Sequence, residues 1–356
     1  MFKRIVSAVL AAVTAAAVSL PACADTEYRE ETVTAPPRVL VLGDSIATGF
    51  GLEGYEGGKG NVASYANILK DKYTSELPEE CGFELNNEAV DGQTSVQLLE
   101  KLMNGDYDAE LDVDCVLISI GGNDLLHPLL EAAAEAGITS FDDINFANSA
   151  TLLGVVTKAG NVIDSSLEVF GQNISGIAGY ITSHSEAKVI VQTLYDPLDG
   201  FSKIPGVDKV SAEKIGKLNE KIVTASNNGE LFTVCDVAPL FKGKASELTN
   251  IGKFDIHPTA EGHKLIAEEL DKTIKTFTYT YKIAEVTEPE EEENSDGSKT
   301  DSDSKSSDSG STGYVILAVA GAVVLVGAVT VIVIVFAKKS KKLPIKKTDG
   351  DKSDKE

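Results

Sequence analysis

The sequence predicts an α/β fold in which a parallel sheet is covered by helices on both faces. Runs rich in Val, Ile and Leu lie at 38–42, 113–120, 188–194 and 231–237, and a weaker strand candidate lies at 83–90. Helical patterns separate these runs and lie at 64–75, 95–103, 208–227 and 259–276. Nearly continuous apolar content indicates strands that are buried on both faces. Because strands and helices alternate, we expect a three-layer α/β/α sandwich with a mostly parallel sheet, formed by residues 37–281.

The alternation of strands and helices does not show where residues 125–186 lie in this domain. It carries several helical patterns. Two arrangements fit these patterns. The helices either pack on the sheet or form a cap near the carboxyl ends of the strands, where open parallel sheets bind their ligands.

The amino-terminal residues have the composition of a secretory signal. Residues 1–24 carry a charged start and an apolar centre, and Ala22-Cys23-Ala24 forms a small-residue cleavage site. Residues 20–23 also resemble a weak lipoprotein signal, in which Cys23 would be lipidated instead. A polar lead at 25–36 separates the signal from the predicted domain.

An uncharged stretch near the carboxyl end, residues 314–337, is dominated by Val, Ala, Ile and Leu. About 24 residues at ~1.5 Å each are enough to cross a ~30 Å hydrocarbon core, so we expect one transmembrane helix. The lysines that follow, in 338–356, predict a basic cytoplasmic tail and an amino terminus outside the cell. The acidic, Ser-rich segment 282–313 holds few apolar residues and is predicted to be a disordered stalk.

Charge and cysteine content restrict the possible functions. The formal net charge of −23 disfavours nucleic-acid binding, because an acidic surface repels phosphate backbones. Cys115 and Cys235 lie in apolar runs and are expected to be buried free thiols. With Cys81 they leave an odd number after the signal, so we expect no disulfide framework. No Cys/His cluster has the spacing of zinc ligands, and we expect no metal site.

Three segments far apart in the chain carry side chains that together could perform nucleophilic catalysis. The segment 43–45 (Gly-Asp-Ser) follows the first predicted strand, and 121–124 (Gly-Gly-Asn-Asp) follows the strand at 113–120. The third segment, 255–258 (Asp-Ile-His-Pro), precedes the last helix. The carboxyl ends of parallel strands lie at one edge of a sheet, so the segments are expected to meet there.

The candidate nucleophile and its candidate oxyanion donors lie on turns after strands. Ser45, at a strand-to-helix turn, can project its hydroxyl above the sheet while its amide points to the same place; the alternative is an ordinary N-cap serine. The Asn123 side-chain amide could donate to a developing oxyanion or satisfy its own turn. Gly92 follows the second strand and leaves its amide free, unless it is simply a turn glycine.

The candidate base is His257. Pro258 restricts it to an extended conformation, and Thr259 can cap the last helix, which would hold the imidazole on a loop at the start of that helix. From there it could take the serine proton, and Asp255 could orient the ring. His263 lies inside the last helix and is expected to be structural.

The ordered series Gly43-Asp44-Ser45, Gly92, Gly121-x-Asn123-Asp124 and His257-Pro258 resembles the four sequence blocks of the SGNH (GDSL) esterase and lipase family. The resemblance covers nearly the whole predicted domain. It implies a flavodoxin-like α/β/α fold and ester hydrolysis through an acyl-enzyme, without cofactor. It also implies that Ser45 is the nucleophile, that His257 is general base and then general acid, and that Ser45, Gly92 and Asn123 form the oxyanion hole.

The sequence departs from the family pattern at one position. In most of the family the acidic partner lies three residues before the histidine, but here that residue is Phe254 and the acid, Asp255, lies two before. Either Asp255 serves from a shifted loop or a backbone carbonyl orients His257.

Together, these observations predict a membrane-anchored serine esterase whose catalytic domain is extracellular, at a bacterial cell surface. The expected substrate is an O-acetylated glycan or a short acyl ester or lipid. The rival hypothesis is a non-catalytic binding or adhesion module on the same scaffold. The glycines at 49, 51 and 54 also spell the dinucleotide fingerprint, but Gly43-Asp44-Ser45 already occupies the strand-to-helix turn, so we expect them to form a loop beside the pocket.

Overall fold

Seven strands are found in the described part of the chain, residues 28–57, 61–139, 149–202 and 206–284 of a computed structural model. They are β1 (Tyr28–Val33), β2 (Arg38–Gly43), β3 (Glu84–Asn87), β4 (Cys115–Ser119), β5 (Lys188–Gln192), β6 (Thr233–Cys235) and β7 (Tyr279–Ala284). The central sheet has the order β3-β2-β4-β5-β6, and its neighbouring strands are parallel. If β2 is taken as the first strand, this strand order is that of doubly wound α/β proteins. Such proteins bind their ligands at the carboxyl ends of the strands. The predicted parallel sheet is confirmed.

Helices cover both faces of this sheet. The described α-helices are α1 (Ser45–Thr48), α2 (Tyr65–Glu76), α3 (Ser95–Met103), α4 (Gly122–Glu135), α5 (Ser149–His184), α6 (Val207–Ala225), α7 (Ala238–Phe241), α8 (Ala245–Leu248) and α9 (Ala260–Ile274). Short 3₁₀ helices lie at Glu79–Cys81, Asp108–Glu110 and Ile251–Lys253. Successive strand residues point to opposite faces. Accordingly, Leu40 and Ile118 pack with α3, α5 and α6 on one face, and Val41 and Leu117 pack with α2 and α9 on the other.

The interval 125–186, which the sequence left open, packs on the sheet through α5. Phe170, Ile174, Ile177 and Ile181 have no exposed surface and belong to the core on one face of the sheet. Their spacing of three and four residues puts them on one side of the helix. In its described residues, α5 therefore forms part of the sandwich.

The structure places strands in two ranges for which the sequence predicted none. Strand β1 lies inside the polar lead, and β7 extends to Ala284, so the predicted stalk does not begin at residue 282. Aromatic and aliphatic residues at 279, 281 and 283 alternate with smaller or polar ones, the period of a strand, and the acidic composition that follows obscured this pattern. The strands β1 and β7 pair with each other in a two-stranded sheet.

The predicted secretory signal, transmembrane helix and cytoplasmic tail, at 1–24, 314–337 and 338–356, lie outside the described residues, as does the stalk after residue 284. Among the helices that the structure does describe, none combines the length and apolar character needed to span a bilayer.

The cysteines predicted to be buried are buried. Cys115 and Cys235 have no exposed surface, and Cys81 is also buried. Burial raises the pKa of the Cys115 thiol to about 12, so this group stays protonated at neutral pH. A buried, protonated thiol is a poor nucleophile, and we assign Cys115 to the core.

Candidate active site

Ser45 is the first residue of α1, on the turn that follows β2. This turn is tight because Gly43, at a φ of +147°, lies against β4: an added Cβ would be 2.1 Å from the Ser119 carbonyl oxygen. The Asp44 amide donates to the same oxygen at 3.1 Å. Asp44, rather than Ser45, caps the helix, because its Oδ1 accepts from the Ile46 amide at 3.0 Å. The hydroxyl of Ser45 is therefore not used as a helix cap.

His257 lies between Ser45 and Asp255. Its Nε2 is 2.8 Å from Ser45 Oγ, and its Nδ1 is 2.5 Å from Asp255 Oδ1. An ionised carboxylate can only accept, so this network assigns the ring proton to Nδ1 and leaves the Nε2 lone pair for the serine hydroxyl. This is the tautomer that a general base needs in order to take the serine proton.

Asp255 is held in its ionised form. Burial by itself would raise the pKa of this carboxyl, but the side-chain hydrogen bond and the charge of His257 outweigh burial and hold the pKa below its usual value. The same Oδ1 also accepts from the His257 amide at 3.0 Å. The carboxylate can therefore both orient the imidazole and stabilise its protonated form.

The loop geometry explains how an acid two residues before the histidine reaches the ring. Phe254 adopts a left-handed conformation at φ +60°, which reverses the chain directly before Asp255. Asn250 then pins both ends of the turn: its amide donates to the His257 carbonyl at 2.9 Å, and its carbonyl accepts from the Asp255 amide at 3.3 Å. The Tyr195 hydroxyl donates to the Ile256 carbonyl at 2.9 Å. Thus Nδ1 faces the Asp255 carboxylate, one of the two arrangements that the sequence left open.

The candidate oxyanion donors line one cleft of about 190 Å³, together with the Ser45–His257 pair. Gly92 has a φ of +76°, a conformation that glycine adopts without strain. The amides of Ser45 and Gly92 donate to no acceptor within the described part of the chain. Since Ser45 is the first helical residue, the helix itself leaves its N–H unpaired. Both groups are therefore available to a ligand in the cleft.

Asn123 is the third candidate donor, and its side chain is held from two sides. Asn123 is 7% exposed. Its Nδ2 donates to the Gln93 carbonyl at 3.0 Å and to Asp44 Oδ2 at 3.4 Å. The longer contact is the weaker one, because hydrogen bonds lose energy beyond the normal distance. The N–H that faces Asp44 is thus the one that a negatively charged substrate oxygen can most easily take.

Asn123→Ala is expected to lower kcat for ester hydrolysis about 10²- to 10³-fold, with a smaller change in KM, because the lost donor acts mainly on the transition state. Steady-state kinetics measure this, with thermal unfolding followed in parallel. Asn161→Ala, at an exposed position on α5, is the matched control. An unchanged kcat in a folded Asn123→Ala protein would remove Asn123 from the oxyanion hole.

A buried carboxyl group, that of Asp44, is part of the wall of the cleft. Asp44 is 1% exposed, and burial raises its pKa to about 7, although the hydrogen bond from the Ile46 amide and the charge of His257 oppose the shift. At neutral pH this carboxyl is therefore partly protonated. Its protonation changes the charge directly beside Asn123.

The roles of several residues at the site were not predicted from the sequence. The Phe50 ring lies 4.7 Å from the His257 ring, centroid to centroid. Gly51 lies so close to the acid that an added Cβ would be 2.8 Å from Asp255 Oδ2. The glycine pattern at 49, 51 and 54 was the available signal. The close approach to Asp255 explains the glycine at 51, in a loop whose Phe50 lines the cleft.

A second carboxylate supports the turn at Gly92. Asp91 accepts from Thr48 Oγ1 at 2.6 Å and also accepts from the Tyr55 hydroxyl. Both donors belong to the segment that follows Ser45, so the network joins the turn before Gly92 to the turn that carries the candidate nucleophile. No sequence motif marked it, since its members are 36 and 43 residues apart.

The other histidines differ from His257 in their surroundings. His263 is fully buried, and its Nδ1 accepts from the Tyr65 amide at 3.3 Å. Burial, and to a lesser degree the charge of His257, lower the pKa of His263 to about 3, so it is neutral and structural, as predicted. His127, on α4, lines the cleft, and His184 ends α5 at the surface.

The sequence matches one protein family over most of the described region. The profile of the GDSL-like lipase/acylhydrolase family matches residues 41–265, which include Ser45, Gly92, Asn123 and His257. A search among curated proteins finds no match to the chain.

Solved structures with a similar fold include three that are named as hydrolases. The lipase Lip_vut3 from a goat rumen metagenome is 20% identical, with a TM-score of 0.50, and the match covers 67% of this chain and 96% of that one. LAE5, an α/β hydrolase from the metagenome of Lake Arreo, Spain, is 17% identical, with a TM-score of 0.45 and coverages of 68% and 96%. A variant of Axe2, an acetyl xylan esterase from Geobacillus stearothermophilus, is 16% identical, with a TM-score of 0.46 and coverages of 67% and 94%. At such identities the similarity concerns the fold.

Proposed function

The chain belongs to the GDSL-like lipase/acylhydrolase family of carboxylic ester hydrolases, and we propose that it cleaves its substrate through an acyl-enzyme formed on Ser45. The observation that carries this proposal is the position of His257, within hydrogen-bond reach of Ser45 Oγ on one side and of Asp255 on the other. Family membership favours this mechanism over a binding module, because a binder needs no nucleophile and base in contact.

In the first half of the proposed reaction, Ser45 Oγ attacks the ester carbonyl carbon while His257 Nε2 takes the hydroxyl proton. The carbonyl oxygen becomes negatively charged and accepts hydrogen bonds from the amides of Ser45 and Gly92 and from Asn123 Nδ2. The bond to the alcohol oxygen then breaks, and the His257 proton passes to the departing alcohol. Preorganised donors of this kind supply a large part of the rate enhancement in acyl transfer.

In the second half, a water molecule replaces the alcohol. His257 removes a proton from the water as it attacks the acyl carbon, and the same donors stabilise the second tetrahedral intermediate. The bond to Ser45 Oγ breaks, the proton returns to the serine, and the carboxylic acid leaves. Asp255 keeps Nδ1 protonated and compensates the positive charge of the imidazolium in both halves.

Competition between nucleophiles tests the acyl-enzyme. Phenyl acetate and p-nitrophenyl acetate carry the same acyl group, so a shared acetyl-Ser45 must partition identically between water and added hydroxylamine. We expect the same ratio of acetohydroxamate to acetate from both esters at each hydroxylamine concentration. Ser45→Ala protein serves as the control for uncatalysed aminolysis. A ratio that depends on the leaving group would contradict a common acyl-enzyme.

The proposed substrates are esters outside the cell, either an O-acetylated glycan or a short acyl ester or lipid. The formal net charge of −23 supports a soluble or glycan substrate over anionic membrane lipids, because like charges repel. We place the catalytic domain at the outer face of the cell membrane, carried there by the signal at 1–24 and anchored by residues 314–337.

Detergent, but not salt, is expected to release the full-length protein from membranes, because an apolar helix is held by the hydrocarbon core rather than by charge. Membranes are washed either with about 1 M salt or with detergent, and the protein in the pellet and in the supernatant is measured after sedimentation. At that salt concentration the Debye length is about 3 Å, so attraction between charges is screened. A chain that ends at residue 313 is the matched control and should remain in the supernatant. Release of the full-length protein by salt alone would overturn the anchor.

A further inference from the structure

An apolar pocket of about 350 Å³ opens beside the catalytic cleft. It lies between α4, α5, α6 and the segment after β5, and representative wall residues are Leu129, Ile163, Val210 and Leu198. We call it the apolar pocket. The proposed mechanism does not use it, although it is larger than the cleft that holds Ser45 and His257.

The apolar pocket and the catalytic cleft share a wall. Ile46, Gly122, Leu126, Phe254 and Ile256 line both. Ile46 directly follows the nucleophile in the sequence, and Gly122 directly precedes Asn123. The pocket therefore adjoins both the turn that carries Ser45 and the turn that carries Asn123.

The polar side chains on the wall of the apolar pocket are already paired. Ser211 Oγ donates to Asp196 Oδ1 at 2.5 Å, and Lys214 Nζ donates to Asp164 Oδ1 at 2.8 Å. The Tyr195 hydroxyl donates to a backbone carbonyl, that of Ile256. With these groups engaged, the surface that remains for a ligand is mainly hydrocarbon, which suits an uncharged aliphatic chain and disfavours a sugar with many hydroxyl groups.

We propose that the apolar pocket binds the hydrocarbon tail of the acyl group, so that within the proposed substrate range esters with a medium-length acyl chain are preferred over acetyl esters, an O-acetylated glycan included. The inference rests on the proposed function, because it needs the acyl carbon to be bonded to Ser45. A cavity of about 150 Å³ holds a six-carbon ring, so the apolar pocket has room for a chain of roughly eight to twelve carbon atoms.

The apolar pocket suits the acyl part of the ester better than the alcohol part, because the two parts leave the enzyme at different stages. The acyl group stays bound through both halves of the reaction, and a tail held in the pocket keeps its carbonyl near the oxyanion donors throughout. The alcohol must leave before water can enter beside His257. A deep apolar site for the alcohol would delay that exchange.

The test measures kcat/KM of the full-length protein for p-nitrophenyl esters from acetyl to decanoyl, all below their aggregation concentrations. Each methylene buried in the pocket is expected to raise kcat/KM by up to about 4-fold, so octanoate should exceed acetate by roughly 100-fold or more. The isomers ethyl octanoate and octyl acetate decide between the two sides of the ester. Preference for ethyl octanoate supports the proposal, and preference for octyl acetate overturns it.

Variants locate the effect in the apolar pocket. Val210→Trp fills the pocket from α6 and is expected to lower the octanoate-to-acetate ratio of kcat/KM at least about 10-fold. Val223→Trp, at a 55% exposed position on the same helix, is the matched control and should leave the ratio unchanged. Val156→Trp fills the pocket from α5 and replaces Val210→Trp if that protein does not fold. An unchanged ratio in a folded pocket variant would overturn the proposal.

Failure of this inference can be told apart from failure of the proposed function. Acetate turnover that depends on Ser45 but is flat or falls with acyl length would overturn the acyl pocket and leave the esterase mechanism intact. Absence of Ser45-dependent turnover with every ester would overturn both.

Discussion

Replacing Ser45 with alanine is expected to lower kcat for ester hydrolysis by about 10⁴- to 10⁶-fold, the scale on which serine hydrolases lose activity without their nucleophile. In the proposed mechanism the substitution removes the oxygen that becomes bonded to the acyl carbon, the same oxygen that lies 2.8 Å from His257 Nε2. His257→Ala should lower kcat to a similar degree, because Ser45 then has no base to remove its proton.

The combined variant gives a sharper result than either single one. In the proposed mechanism Ser45 and His257 act as a unit, so Ser45→Ala/His257→Ala is expected to be scarcely slower than Ser45→Ala alone. The two single variants and the double variant are compared by their initial rates of p-nitrophenyl octanoate hydrolysis. His184→Ala, at an exposed histidine, is the control and should retain wild-type activity. Losses that multiply in the double variant would mean that the two residues act independently, which contradicts their pairing.

Asp255→Asn is expected to lower kcat by about 10³- to 10⁴-fold while the fold is kept. The asparagine amide can donate to Nδ1, which would move the ring proton to Nε2 and turn the base away from its task. The substitution also removes the negative charge that stabilises the imidazolium, at an oxygen 2.5 Å from the ring. Steady-state kinetics over a range of pH measure the effect.

Asp71→Asn is the matched control for Asp255→Asn, since Asp71 lies exposed on α2. Its activity should equal that of the wild type. Near-wild-type activity of Asp255→Asn would show that His257 works in a dyad with Ser45. The carboxylate would then serve the loop alone, through the hydrogen bond that it accepts from the His257 amide at 3.0 Å.

The central sheet could be predicted because its strands are short apolar runs with helices between them. Strand β5 begins at Lys188, where the sequence places it, and α3 has its predicted bounds. By contrast, α5 was not recognised as one helix of 36 residues, because its five glycines lower helix propensity. The structure explains two of them: an added Cβ at Gly171 would lie 3.1 Å from Lys221, and one at Gly176 would lie 3.2 Å from Leu99.

The meeting of Ser45, Asn123 and His257 at one cleft could be predicted, because each follows a strand or precedes a helix and parallel strands bring those positions together. The contacts that hold these residues in position could not be predicted from the sequence. The reach of Asp255 to His257 depends on the left-handed conformation of Phe254, which sequence spacing does not show. The apolar pocket is built from side chains of four separate segments, so its shape exists only after the helices have packed.

Covalent labelling with a fluorophosphonate is the experiment that decides whether Ser45 is the nucleophile. The predicted result is one phosphonyl group per protein, found by mass spectrometry on the peptide that contains Ser45, with esterase activity lost in proportion to labelling. Ser45→Ala protein should not be labelled, and His257→Ala protein should be labelled far more slowly. Complete inhibition with the label on another residue, or with Ser45 unmodified, would mean that Ser45 is not the nucleophile.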